Sequence, residues 1–170
     1  RGLQFNSSYV WSKAIDSSST TTLGACLANP FNVRDDRGRS SWDRSHALVF
    51  SGVWSPSLYE SQAGPLGRVV GGWSLSGFST VQSGTPVTVV SGQNRALDGH
   101  FCGSSAQRPD VAGQPERDHS SRGDMIAQFF NRGAFVLPPI GRYGNAGRSL
   151  FSGPALVQTD LAILKDFAVR

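Results

Sequence analysis

The chain has 170 residues, 38% of them hydrophobic and 16% charged, with 20 Gly and 9 Pro. Both fractions fall below ordinary globular usage, and Ser, Thr and Gly fill the difference, which disfavours a helical fold. The formal net charge is +4, yet the arginines sit beside acids, as in Arg34–Asp35–Asp36–Arg37 and Glu116–Arg117–Asp118. No basic stripe interleaved with aromatics is present, so a nucleic-acid partner is not expected. No apolar run reaches the roughly 18 residues of a membrane helix, and the start lacks the basic-then-apolar pattern of a signal peptide. Both ends break off within strand-like pattern, at Arg1–Phe5 and Asp166–Arg170, so the chain is expected to be part of something longer.

Residues 3–14 alternate with period two, the strand signal. Leu3, Phe5, Ser7, Tyr9 and Trp11 share one face, and Gln4, Asn6, Ser8, Val10 and Ser12 the other. Residues 16–44, rich in Ser, Thr, Asp, Arg and Gly, read as a long loop. Residues 45–55 form a second strand with Leu48, Phe50 and Trp54 on one face. Pro56, Gly64, Pro65 and Gly67 mark a short turn over 56–67. Residues 68–90 read as one long strand, with Val69, Trp73, Leu75 and Val81 opposite Ser74, Ser76, Thr80 and Gln82. Phe78 falls on the polar side, which predicts a bulge near Gly77, and Pro86 marks where regular pairing ends. Residues 91–153 have no sustained period beyond a helical turn around Met125–Phe130. An irregular segment of that length signals function or disorder. Residues 155–169 alternate again, Val157, Thr159, Leu161, Ile163 and Phe167 against Gln158, Asp160, Ala162 and Asp166.

The fold class is therefore all-β, an antiparallel up-and-down meander. Consecutive antiparallel strands put both long loops, 16–44 and 91–153, at one end and the short turn at the other. Outer-membrane barrels have this asymmetry, with the long loops extracellular. Ordinary strands run about five or six residues, whereas a tilted strand crossing a bilayer needs roughly 9–11. The polar faces suit a lumen and the apolar faces suit lipid, with Asp160 and Asp166 beside Gln158 on the lumen side. Lys165 lies on the apolar face near a strand end, where its ammonium would reach the headgroups. Trp11, Trp54 and Trp73 suit interfacial girdles. Strands of a soluble β-sandwich also alternate, so the alternative is a secreted sandwich that binds carbohydrate or another surface partner.

An ordered series of motifs carries a resemblance. Tyr9–Val10–Trp11–Ser12–Lys13–Ala14–Ile15–Asp16 is followed by Asn29–Pro30–Phe31–Asn32–Val33–Arg34–Asp35–Asp36–Arg37–Gly38 and by Trp42–Asp43–Arg44–Ser45–His46–Ala47–Leu48–Val49. Next come Leu66–Gly67–Arg68, Gly71–Gly72–Trp73–Ser74–Leu75–Ser76–Gly77 and Gln82–Ser83–Gly84–Thr85–Pro86–Val87–Thr88. Phe130–Asn131–Arg132–Gly133–Ala134–Phe135 and Gly144–Asn145–Ala146–Gly147–Arg148 lead into Gly153–Pro154, Asp160–Leu161 and Lys165–Asp166–Phe167. In this order they resemble Oar-like TonB-dependent outer-membrane receptors over most of the chain outside 91–128. The resemblance implies a late, partial stretch of such a barrel in the bacterial outer membrane, without the plug domain, TonB box or closing aromatic residue. It implies outer-membrane lipid as a partner, a TonB complex acting through the missing plug, and a bulky nutrient as ligand.

No catalytic constellation is present, so an enzyme is not expected; a site within 91–153 is the weaker alternative. His46, His100 and His119 are isolated from one another, and His100 with Cys102 lacks a second pair of metal ligands. No cofactor or metal is expected. No GxSxG elbow singles out a serine, Gly71–Gly72 has no phosphate-loop spacing, and Arg122–Gly123–Asp124 matches an adhesion tripeptide by chance. Cys26 and Cys102 form either a disulfide, in an oxidising compartment, or two unpaired surface thiols. The ligand-binding candidates are Arg34, Asp36, Arg37, Trp42, Arg142, Tyr143 and Arg148, whose charges and rings suit a polar ligand at a barrel mouth. The alternative for them is a solvated loop pinned by Arg–Asp pairs.

Overall fold

A computed structural model describes residues 2–19, 26–58, 61–99, 102 and 106–167. In chain order the strands are β1 (Gly2–Trp11), β2 (Ile15–Asp16), β3 (Gly38–Arg39), β4 (His46–Ser55), β5 (Trp73–Gln82), β6 (Pro86–Val87), β7 (Asp110–Val111), β8 (Phe135–Val136), β9 (Phe151–Ser152) and β10 (Leu156–Lys165). Among the described residues, short α-helices span α1 (Gly64–Val70) and α2 (Arg122–Ala127). The chain divides into two units, one of Arg1–Ser12, Arg44–Gly84 and Pro154–Arg170, the other of Lys13–Asp43 and Thr85–Gly153.

The first unit is a four-stranded antiparallel meander in the order β1-β4-β5-β10. Its cross-strand rows sort the side chains into two faces. Leu3–Trp54–Leu75–Ile163, Phe5–Gly52–Gly77–Leu161 and Tyr9–Leu48–Val81–Val157 lie on one face. Gln4–Val53–Ser76–Ala162, Asn6–Ser51–Phe78–Asp160 and Ser8–Val49–Thr80–Gln158 lie on the other. The apolar face has one polar row, Ser7–Phe50–Ser79–Thr159, and there the Ser79 and Thr159 hydroxyls bond each other at 3.0 Å. Gly52 and Gly77 make room in the neighbouring row. A Cβ on Gly77 would sit 3.0 Å from Leu161 Cδ2, and Phe5 stacks on Phe50 with ring centroids 6.3 Å apart.

The apolar residues are not enclosed. Leu48, Trp73 and Leu161 are 40%, 43% and 74% exposed. A soluble sandwich would bury these same residues between two sheets.

The register corrects the strand lengths. The expected strand over 68–90 is three pieces: the end of α1, then β5, then β6, which pairs with β9 in a separate sheet. Pro65 explains α1, because its fixed φ suits a first helical turn where the missing N–H costs nothing. Gly71 N–H donates to Gly67 O at 2.8 Å to close the helix. The pairing of β5 runs unbroken on both sides through Gly77 and Phe78, so there is no bulge at Gly77; Phe78 simply faces the polar side. Strands expected over 3–14 and 155–169 stop, among the described residues, at Trp11 and Lys165; residues 168 and 169 lie outside the described residues. Beyond them Ala14 N–H turns to the Asp43 carboxylate at 2.8 Å, and Asp166 N–H bonds Gly72 O at 2.9 Å.

The second unit gathers residues expected to be loop. Two-residue strands pair as β2–β3, β6–β9 and β7–β8. The helical turn expected around Met125–Phe130 is α2, displaced toward the N-terminus because Ser121 caps it, its Oγ accepting from Asp124 N–H at 3.1 Å. Phe129, Phe130, Phe135 and Phe151 interlock with centroid spacings of 5.2–6.5 Å. Apart from Phe151, the buried apolar residues of the described chain are small: Ala28, Cys102, Ala134 and Ala146 with Pro109 and Pro138. Polar bonding must therefore hold much of this unit together.

Candidate functional site

Two features have functional geometry. The first is the apolar face of the meander. Each of its strands has ten residues, which at about 3.3 Å per residue and a tilt of about 40° cover about 25 Å of membrane normal, the height of a barrel's apolar band. Aromatic residues mark both ends of the face. At one end are Trp11 and Tyr9, whose hydroxyl bonds His46 Nδ1 at 2.8 Å; at the other are Trp54 and Trp73. Lys165 does not reach outward as expected. Its ammonium donates to Val69 O at 3.0 Å and to Gly71 O, and lies 5.0 Å from the Trp73 ring centroid.

The second feature is the polar interior of the second unit. Asp36 is buried and pairs with Arg108 at 2.6 Å while accepting from Ala28 N–H at 2.9 Å. Arg108 also donates to Asp35 O at 2.7 Å. Arg148 pairs with Asp16 at 2.6 Å and donates to Asp16 O, Asp36 O and Ser19 Oγ at 3.0, 3.1 and 2.5 Å. Asp16 is partly desolvated, which raises its pKa, but the Ser40 and Ser19 hydroxyls and Arg148 outweigh that and hold the carboxyl below its ordinary 3.8. Asp43 accepts from Ala14 N–H and from Arg39 Nε at 3.0 Å. Gln107, fully buried, takes the N–H groups of Arg95 and Ala96 and donates to Asn94. A disulfide joins Cys26 to Cys102, which decides between the two readings of the cysteines and removes Cys102 as a metal ligand.

The seven sequence candidates divide. Asp36 and Arg148 come together, but as members of this internal network. Arg142 pairs with Asp110, whose carboxylate also accepts from Asn145 N–H at 3.0 Å. Tyr143 donates to Asp98 at 2.8 Å, and burial together with that carboxylate pushes its pKa up to about 12. Arg34, Arg37 and Trp42 remain exposed, Trp42 by 72%. His46 sits at the end of β4, and His119 stacks on Phe129 at 6.4 Å; His100 lies outside the described residues. Arg122, Gly123 and Asp124 open α2, and the Asp124 carboxylate pairs with Arg117 at 3.1 Å, so the tripeptide is helical and engaged.

Sequence reasoning missed Arg108, Asp16 and Ser19. With Ser17, Asp36, Thr88 and Arg148, Ser19 and Arg108 line a cavity of about 290 Å³ within the second unit. Arg108 Nε is buried there without a hydrogen-bond partner. Its two arginines face two carboxylates, Asp36 and Asp16, so the cavity is close to neutral. Its chemistry suits hydroxyl and amide groups rather than a free anion.

A sheet of ten-residue strands with one exposed apolar face, banded by aromatics, defines the wall of a membrane-spanning β-barrel. The chain belongs to the outer membrane beta barrel domain family, whose model matches residues 1–170. It is a bacterial outer-membrane protein in contact with membrane lipid. No curated protein and no solved structure matches it.

Proposed function

We propose that this chain is a segment of an Oar-like TonB-dependent receptor that takes up a bulky nutrient across the outer membrane. It supplies wall strands and surface loops, and it is not an enzyme. The open edges of β1 and β10 agree with this reading. A sheet edge is not tolerated in hydrocarbon, so both edges pair with strands of a longer chain that closes the barrel. A plug domain of that chain would couple uptake to TonB and the inner-membrane proton gradient. The observation that carries the reading is the pairing of the ordered family-like motifs with a folded, disulfide-linked unit built from the two long connections, Lys13–Asp43 and Thr85–Gly153. Arg34, Arg37 and Trp42 are the exposed candidates for ligand contact.

The experiment is uptake in the native bacterium. Cells lacking this gene and cells lacking TonB should lose accumulation of the same nutrient, and a protonophore should abolish it. Uptake through this protein that persists without TonB or the proton gradient would reduce the protein to a passive pore and refute the proposal.

A further inference from the structure

The connection between β4 and β5 is amphipathic. Gly67 is the buried residue of α1, pressed against Gln62, where a Cβ would lie 3.0 Å from backbone carbon. At 100° per residue, Leu66 and Val69 share one flank of the helix and Arg68 lies on the other. Leu66 is 63% and Val69 67% exposed.

This flank is tied to the lipid face of the sheet. Trp73 and Lys165 are a cross-strand pair on that face. Trp73 Nε1–H donates to Val69 O at 2.8 Å, and Lys165 Nζ donates to the same oxygen at 3.0 Å. The carbonyls that a helix end leaves open are thus taken up by the two side chains that finish the apolar wall, and the ammonium also suits the negative end of the helix. An exposed carbonyl at a membrane boundary would otherwise have to stay in water.

The geometry points to α1 as a membrane foot. Leu66 and Val69 rest in the acyl–headgroup boundary beside Trp73, in the leaflet at the short-turn end of the sheet, which in these barrels is the periplasmic one. Its partner is phospholipid, because the apolar flank is continuous with a wall that already faces lipid. This inference depends on the barrel alone and stands whether or not TonB drives transport.

The test uses the full-length protein reconstituted in phospholipid vesicles. Cys26 and Cys102 are joined in a disulfide, and with any cysteine elsewhere in the full-length protein replaced by serine, Leu66→Cys, Val69→Cys and Arg68→Cys each accept one environment-sensitive fluorophore. Heat-dependent gel migration confirms that each variant is folded. Labels at 66 and 69 should emit to the blue of the label at 68. They should be quenched by a nitroxide-labelled lipid more than by aqueous iodide, with the order reversed at 68. Equal, strong iodide quenching at all three positions would place the helix in water and overturn the inference. Shielding of 66 and 69 from both quenchers would mean that protein covers them, and would overturn it as well.

Discussion

A single arginine separates the two faces of β10. Leu161 is the sixth of the ten residues from Leu156 to Lys165. At about 3.3 Å per residue and a tilt of about 40°, it lies about 13 Å along the membrane normal from the Leu156 end, near the midplane. It shares its row with Gly77, Gly52 and Phe5. Leu161→Arg should therefore cost about 2–4 kcal/mol, a loss of about 30- to 900-fold in the folding equilibrium. Ala162→Arg introduces the same side chain one residue along, on the face shared with Ser76 and Val53, where it meets a polar lumen and should cost little. Leu161→Ala controls for loss of the leucine itself. The assay is equilibrium urea unfolding of the full-length protein in phospholipid vesicles, followed by tryptophan fluorescence and heat-dependent gel migration. An Ala162→Arg penalty equal to that of Leu161→Arg would refute the assignment of faces.

The second unit yields further expectations, each read by limited proteolysis of the vesicle-bound protein. Reducing the Cys26–Cys102 disulfide, whose ends are 76 residues apart, should remove about 4 kcal/mol by loop-closure entropy; cleavage should then appear in 13–43 and 85–153 while the strands stay protected. Arg108→Met strands the Asp36 carboxylate, since the two side chains are only 5% and 4% exposed, and should cost about 3–5 kcal/mol; adding Asp36→Asn should recover part of it. Acid should also loosen this unit. Because the folded-state pKa of Asp16 is depressed, its contribution is complete above the ordinary value of 3.8 and is lost as pH falls through the lower folded value. Asp16→Asn should weaken the unit near neutral pH and flatten that acid dependence.

The wall was legible because period-two alternation survives without knowledge of the partner strand. The faces read for Leu48, Trp73, Leu161 and Asp160 match their cross-strand rows. Alternation also misled. It runs on through Pro86 and Val87, whose partners are Ser152 and Phe151 in a different sheet, and through Val69, which is helical. Pro65 at the first turn of α1 was the available signal for that helix. The second unit was illegible because its bonds join distant residues. Arg108 and Asp36 are 72 residues apart, and Arg148 donates to Asp16 across 132. Local pattern contains nothing that pairs them, and a core of buried carboxylates, arginines and amides leaves no hydrophobic period to read. Residue type alone marks the loop candidates and says nothing of their partners: Asp36, Arg148 and Tyr143 bond within the protein, whereas Trp42 is exposed.

Spin labels placed singly at positions 157 to 163 of the full-length protein in vesicles test the central claim most directly. Collision with lipid-soluble oxygen should rise and fall with period two, high at Val157, Thr159, Leu161 and Ile163 and low at Gln158, Asp160 and Ala162. A water-soluble nickel chelate should not reach the first set. Accessibility to the chelate at Leu161, or oxygen collision that does not alternate, would contradict a wall with lipid on this face.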